Sequence, residues 1–179
     1  MKNLRFLPFF LFFLFQFHCN LIDQIKGLKE FEFELDLSKP FYVDISAEDP
    51  NSINEVFVLD ASSDPDIAEY LSDINEYDIW TIAFTITDYV GAEDILFSGT
   101  LDVGGFVVDL TGENALNPYQ MAMAGGLYYL NLENDDLEML NAVMLGNHKL
   151  QGSLVGTVSG QPVKFTINVW LQGYVYGEA

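Results

Sequence analysis

The sequence predicts a mainly β fold: an antiparallel β-sandwich, or a flattened barrel, of about eight to nine strands with two or three short helices. Three observations carry this. From Phe31 onward apolar and polar residues alternate in many short runs, the period of a half-buried strand. Two glycine-bearing turns, "VGGF" and "SGQP", lie between such runs, as hairpins require. Helical segments are too few to separate most of the strands, which excludes a doubly wound parallel sheet.

Taken in order, "FEFELDL" sets Phe31, Phe33, Leu35 and Leu37 against Glu32, Glu34 and Asp36. "FYVDIS" repeats the pattern as a second strand with Phe41, Val43 and Ile45, and "INEVFVLD" is a third, apolar enough to be covered on both faces. "DIWTIAFTITD" alternates Trp80, Ile82, Phe84 and Ile86 with Thr81, Ala83, Thr85 and Thr87, and its β-branched and aromatic content makes it a strand. "DILFSGTLDVGGFVVDL" is a hairpin turning at Gly104-Gly105, because paired glycines accept the positive φ of a tight turn. A second hairpin runs in along Leu150 to Val158 and out along Val163 to Tyr176.

Three helices interrupt the strands. Asp64 and Pro65 open the first, whose stripe is Ile67, Leu71 and Ile74. Asn117 and Pro118 open the second, which stops at Gly125. The third begins at Asn134 with acids that suit a helix N-terminus, buries Leu137, Leu140 and Met144, stops at Gly146 and covers one end of the core.

Charge and length bound the function. The chain has 179 residues, with 27 Asp and Glu against 7 Lys and Arg. No basic residue lies between Lys39 and Lys149. Nucleic acid is excluded as a partner, since phosphate binding needs clustered Lys and Arg to displace counterions. The single cysteine rules out an internal disulfide, so stability must come from the core.

The opening stretch carries an address. Lys2 and Arg5 form a positive start, Phe6 to Phe15 an apolar run shorter than the about 20 residues of a spanning helix, and the pattern then turns polar. Cys19 follows directly. This arrangement resembles a bacterial lipoprotein signal, in which cleavage leaves the cysteine as a lipid-bearing N-terminus. It departs from a strict lipobox in having Gln16-Phe17-His18, not small residues, before the cysteine. Looser versions occur in lipoproteins of the Bacteroidetes type, which the layout resembles; secretion after another cut and an uncleaved anchor are the alternatives. The resemblance implies a signal peptide at 1–18, lipid attachment at Cys19 with a tether over 19–30, a single sandwich domain over 31–179, and a place in the cell envelope on the outer membrane.

Catalytic chemistry is thinly represented. His18 falls within the signal, leaving His148 at a helix-to-strand junction, where a solvated turn residue is the ordinary case. No G-x-S-x-G elbow, P-loop or dinucleotide fingerprint occurs, and no cofactor is expected. Carboxylates are so many that any chosen pair is uninformative, although a carboxylate-only hydrolase stays open. Asp60, Asp64 and Asp66, and Glu133, Asp135 and Asp136, offer oxygen ligands for calcium without EF-hand spacing, and helix starts explain both clusters equally well. The most suggestive feature is the last strand, where Trp170, Tyr174 and Tyr176 end a mostly polar face. Such rings can stack on sugars or anchor a protein partner, unless they are covered or a bulge at Gly173 breaks the register. The expected function is therefore non-catalytic binding or structural support, with a protein or carbohydrate as partner, and a glycan platform as the specific alternative.

Overall fold

The computed structural model describes residues 30–178. Eight strands among these residues are divided between two sheets: β1 (Glu30–Ile45), β2 (Ser52–Asp60), β3 (Ile74–Val90), β4 (Phe97–Val103), β5 (Phe106–Leu110), β6 (Tyr128–Tyr129), β7 (Lys149–Val158) and β8 (Val163–Glu178). One sheet has the order β1-β8-β3-β6 and the other β2-β7-β4-β5. All pairings are antiparallel: β1 with β8, β2 with β7, β3 with β6 and β4 with β5, so the chain is in effect one long hairpin wrapped into a sandwich. That strand order is the double Greek key of a jelly roll.

Inward residues from both sheets feed one apolar cluster. Leu35, Ile82, Val169 and Leu171 come from the first sheet, and Leu101 and Leu154 from the second. Phe41 of β1 and Phe57 of β2 stack at 5.4 Å between ring centroids, 6° from parallel, and join the two layers near the first corner. The described residues also form three α-helices: α1 (Pro65–Ala68), α2 (Pro118–Ala124) and α3 (Asn134–Asn147). Leu140 and Met144 of α3 are fully buried, each contributing about 1.5–3 kcal/mol by leaving water. The helix packs on β3 and β7, one strand from each sheet, and so covers an end of the core as expected.

The predicted hairpin at Gly104-Gly105 is present, but the second is not: β7 pairs with β2 and β4 while β8 pairs with β1 and β3, so the "SGQP" turn carries the chain from one sheet to the other. Gly104 and Gly105, with φ of 62° and 97°, form the two-residue turn between β4 and β5. Several local expectations are corrected. Phe31–Leu37 and Phe41–Ile45 are one strand of 16 residues. Their shared parity continues through Ser38-Lys39-Pro40, and proline is tolerated because β1 is an edge. β2 is not covered on both faces: it too is an edge, and Val56 and Val58 are 57% and 41% exposed. α1 is one turn, with Ile74 already in β3. α3 runs through Gly146, and the left-handed residue that ends it is His148, with φ of 55°. Residues 1–29 and 179 lie outside the described residues, and with them the signal peptide, Cys19 and the tether.

Candidate functional site

β8 lies between β1 and β3, and its side chains alternate cleanly. Val169, Leu171 and Val175 point into the core, while Trp170, Gln172, Tyr174 and Tyr176 stand half-buried on the outer face. The unbroken register with β1 and the pairing with β3 place these residues in rows across three strands. Tyr176 stands between Glu32 and Glu76, and Tyr174 between Glu34 and Asp78. Gln172 follows between Asp36 and Thr81, then Trp170 between Ser38 and Ala83. Successive rows are roughly 7 Å apart, so the four span roughly 20 Å. Tyr174 and Tyr176 are neighbours, their ring centroids 6.3 Å apart.

A fourth ring joins the face because of a β-bulge. Ile79 pairs with Gly173 and Thr81 with Gln172, so Trp80 is the extra residue on β3. It does not enter the core as simple alternation predicts. Instead it is 42% exposed, its ring 4.7 Å from that of Tyr174. Gly173 permits the bulge: a Cβ there would lie 2.6 Å from the carbonyl oxygen of Asp78 and 3.0 Å from the Cα of Ile79. The backbone N–H of Ile79 donates to Asn141 Oδ1 of α3 at 2.9 Å, which satisfies a donor at the irregularity. The disruption at Gly173 thus lies on the opposing strand, and the parity of β8 itself is intact.

Beside Trp170 the face is concave. A cleft of about 320 Å³ has Trp170, Gln172, Asp36, Thr81 and Thr85 in its wall, with Tyr129 at the side. Gly125, Gly126 and Leu127, between α2 and β6, form its rim. Leu127 and Tyr129 are 48% and 66% exposed and stand open to solvent. The site therefore combines aromatic rings with an amide, a carboxylate and hydroxyls. Further along, desolvation on the sheet and then the carboxylates of Glu32, Asp78 and Glu76 raise the pKa of the Tyr176 phenol, so it remains a neutral donor well above neutral pH.

A larger cleft of about 620 Å³ lies on the other sheet, between β2, β4, β7 and α3. It has no aromatic ring in its wall, and both of its charged groups are engaged. Lys149 bridges to Asp60 at 2.8 Å, and Asp102 accepts the N–H of Gly105 at 2.9 Å. Each cleft has one carboxylate in its wall, Asp36 or Asp102.

The remaining candidates fall into structural positions. Asp60 accepts from Ser62 at the start of a short 3₁₀ turn, its pKa lowered first by Lys149 and then by Ser62. Asp64 caps α1 by accepting from the N–H of Asp66 at 2.9 Å. Asp136 accepts the N–H of Glu133 at the head of α3. Among the described residues no group of three or more His, Cys, Asp or Glu side chains is arranged to hold a metal ion. His148 is a packing residue and not a free loop side chain: its Nδ1 is 2.8 Å from the hydroxyl of Tyr77, and its carbonyl accepts from Ala61.

Sequence reasoning placed Trp170, Tyr174 and Tyr176 on one face, as the structure has them, and did not foresee Trp80, Tyr129 or the flanking acids beside them. Trp80 left a signal: Ile79 and Ile82, both buried, are three apart in a strand where inward residues should be two apart. No protein-family model matches the chain, and no curated protein does. A solved chain of Desmodium yellow mottle tymovirus aligns over 85% of this chain and 82% of its own length, at 11% identity and a TM-score of 0.36. At that level of likeness the fold rests on the strand order, and any functional reading on the site itself.

Proposed function

We propose that this is an exported, lipid-anchored, non-catalytic binding protein of the cell envelope, and that the outer face of its β1-β8-β3 sheet binds a glycan. The observation that carries the reading is the Trp170 cleft. An accessible indole provides a flat apolar plate for the C–H face of a sugar ring. Around it Gln172, Asp36, Thr81 and Tyr129 supply acceptors and donors that can meet ring hydroxyls at the plate's edge. Pockets of this kind, largely preformed with a few convergent polar groups, are the ordinary form of small-ligand sites. Trp80, Tyr174 and Tyr176 continue the row of rings along the strand, each tilted by 51–56° to its neighbour, over a length enough for an oligosaccharide. The lone carboxylate in the cleft fits binding better than hydrolysis. Export and attachment at Cys19 rest on the motif in the first twenty residues.

Binding is tested by titrating soluble oligosaccharides of several classes into the mature protein and its Trp170→Ala variant. Saturable binding that weakens about tenfold or more in Trp170→Ala, with the fold intact by circular dichroism, is the expected result. A variant that binds as well as wild type refutes the site. The anchor is tested separately by mass spectrometry of the mature N-terminus: a lipid-modified Cys19 is expected, and an unmodified peptide beginning elsewhere refutes lipidation.

A further inference from the structure

Resting on the glycan reading, we infer that the preferred ligand is cationic: an oligosaccharide of hexosamines whose amines are free. Two of the rows read acid, tyrosine, acid across three strands, Glu32-Tyr176-Glu76 and Glu34-Tyr174-Asp78, and the next adds Asp36 beside Gln172. All five acids are exposed, and none of them takes part in the ion pairs found among the described residues, which are Lys149 with Asp60 and Lys164 with Asp44. Lys164 shares this face but stands at its far end. Lys39 is exposed on β1 with the parity opposite to the acids.

Cross-strand neighbours of like charge destabilise a sheet, and here each tyrosine separates two acids. Such an arrangement repels uronic, sulfated and phosphorylated glycans. An ammonium group gains twice from it: the faces of Tyr174, Tyr176 and Trp80 attract a cation through their quadrupoles, and the flanking carboxylates accept its N–H donors. An N-acetylated or neutral sugar can still stack on Trp170 but forgoes both terms. Asp36 belongs to the cleft as well as to the acidic rows, so a sugar on Trp170 places a substituent within reach of the first carboxylate. The chain of acids then leads along β8 toward Tyr176, which makes the acidic end a continuation of the cleft and not a separate patch.

The test uses the mature protein and three soluble ligands of equal length: a glucosamine oligomer, its fully N-acetylated form and a neutral glucose oligomer, at about pH 6 and low ionic strength. Two variants accompany it. One neutralises the face by Glu32→Gln, Glu34→Gln, Glu76→Gln and Asp78→Asn. The other removes the same charge from exposed positions away from it by Asp66→Asn, Glu69→Gln, Glu113→Gln and Glu138→Gln. The amine oligomer is expected to bind at least about tenfold tighter than the other two. That preference should vanish in the face variant, persist in the matched control and shrink with added salt. Equal binding of the N-acetylated and amine forms overturns the inference and leaves the glycan reading standing. Equal loss in both variants assigns the effect to bulk charge and overturns it too. If none of the three ligands binds while other glycans do, the inference alone fails; if no glycan binds, the reading beneath it fails as well.

Discussion

Gly173→Ala tests the link between backbone geometry and the binding face. The added Cβ would sit 2.6 Å from the carbonyl oxygen of Asp78 and 3.0 Å from the Cα of Ile79. Both are backbone atoms of the strand next door, so no side-chain rotation relieves the contact. β3 must move away from β8 by several tenths of an ångström, along strands that otherwise pair closely. Overpacking of this kind costs about 1–3 kcal/mol. Removing a glycine lowers the entropy of the unfolded chain, which offsets about 0.4–1 kcal/mol. The net expectation is a loss of about 1–2 kcal/mol in urea unfolding followed by circular dichroism. In a Trp170→Phe background, Trp80 is the sole tryptophan, and its emission should change as its packing on Tyr174 loosens. Unaltered stability and unaltered Trp80 emission would refute the claim that Gly173 holds the bulge. Gly146 is the contrast, since nothing lies within 4 Å of its added Cβ and it stands on the exposed side of α3. Gly146→Ala should stabilise by about 0.5–1 kcal/mol, and a loss there would undercut the same reasoning.

Three further outcomes follow from packing and charge elsewhere in the fold. Asn141→Ala leaves the Ile79 N–H without its acceptor and should cost about 1–3 kcal/mol, with faster hydrogen exchange at that amide; Asn141→Asp, which keeps an oxygen, should lose much less. Burial, and secondarily Asp60, pushes the Tyr77 phenol up to about 12, so the fold favours its neutral form. That contribution is fully present below pH 10 and drains away between pH 10 and 12; Tyr77→Phe should flatten the dependence in thermal melts across that window. Asp60 behaves oppositely, its pKa held down by Lys149 and Ser62, so its share of stability is present above the ordinary carboxylate range and lost on acidification. Lys149→Met should remove most of that acid-limb slope while lowering stability at neutral pH by no more than about 1 kcal/mol, because the pair is solvent-exposed.

Much of the fold was legible because its signals are local. Gly104-Gly105 marked the β4–β5 hairpin, and the alternation from Val163 to Tyr176 assigned each β8 side chain to the correct face; the "SGQP" turn was legible as a turn but crosses between the sheets, because turn residues do not say which strands pair. What failed depended on distant chain. Ser38-Lys39-Pro40 looked like a break, yet pairing with Trp170, Val169 and Asn168 carries β1 straight through. Trp80 turned outward because Gly173, nearly a hundred positions later, lets the strands approach and shift by one residue. β6 is two residues long, too short for any period to register. For the site, the parity of β8 identified three rings, but the acids around them could not be assigned. Nothing local says that β1 and β3 are the neighbours of β8. The jelly-roll order supplies that, and with it the charge that shapes the ligand inference.

Stacking of a sugar on Trp170 is read most directly at the indole itself. In a Trp80→Phe background the protein has one indole N–H, and nuclear magnetic resonance reads it as one isolated signal. Adding the tightest-binding oligosaccharide should shift that signal saturably, together with the side-chain amide of Gln172. The backbone signals of Val56, Val58 and Val155 on the opposite sheet should stay in place. Shifts confined to that opposite sheet, or an indole signal unmoved at ligand saturation, would contradict the account.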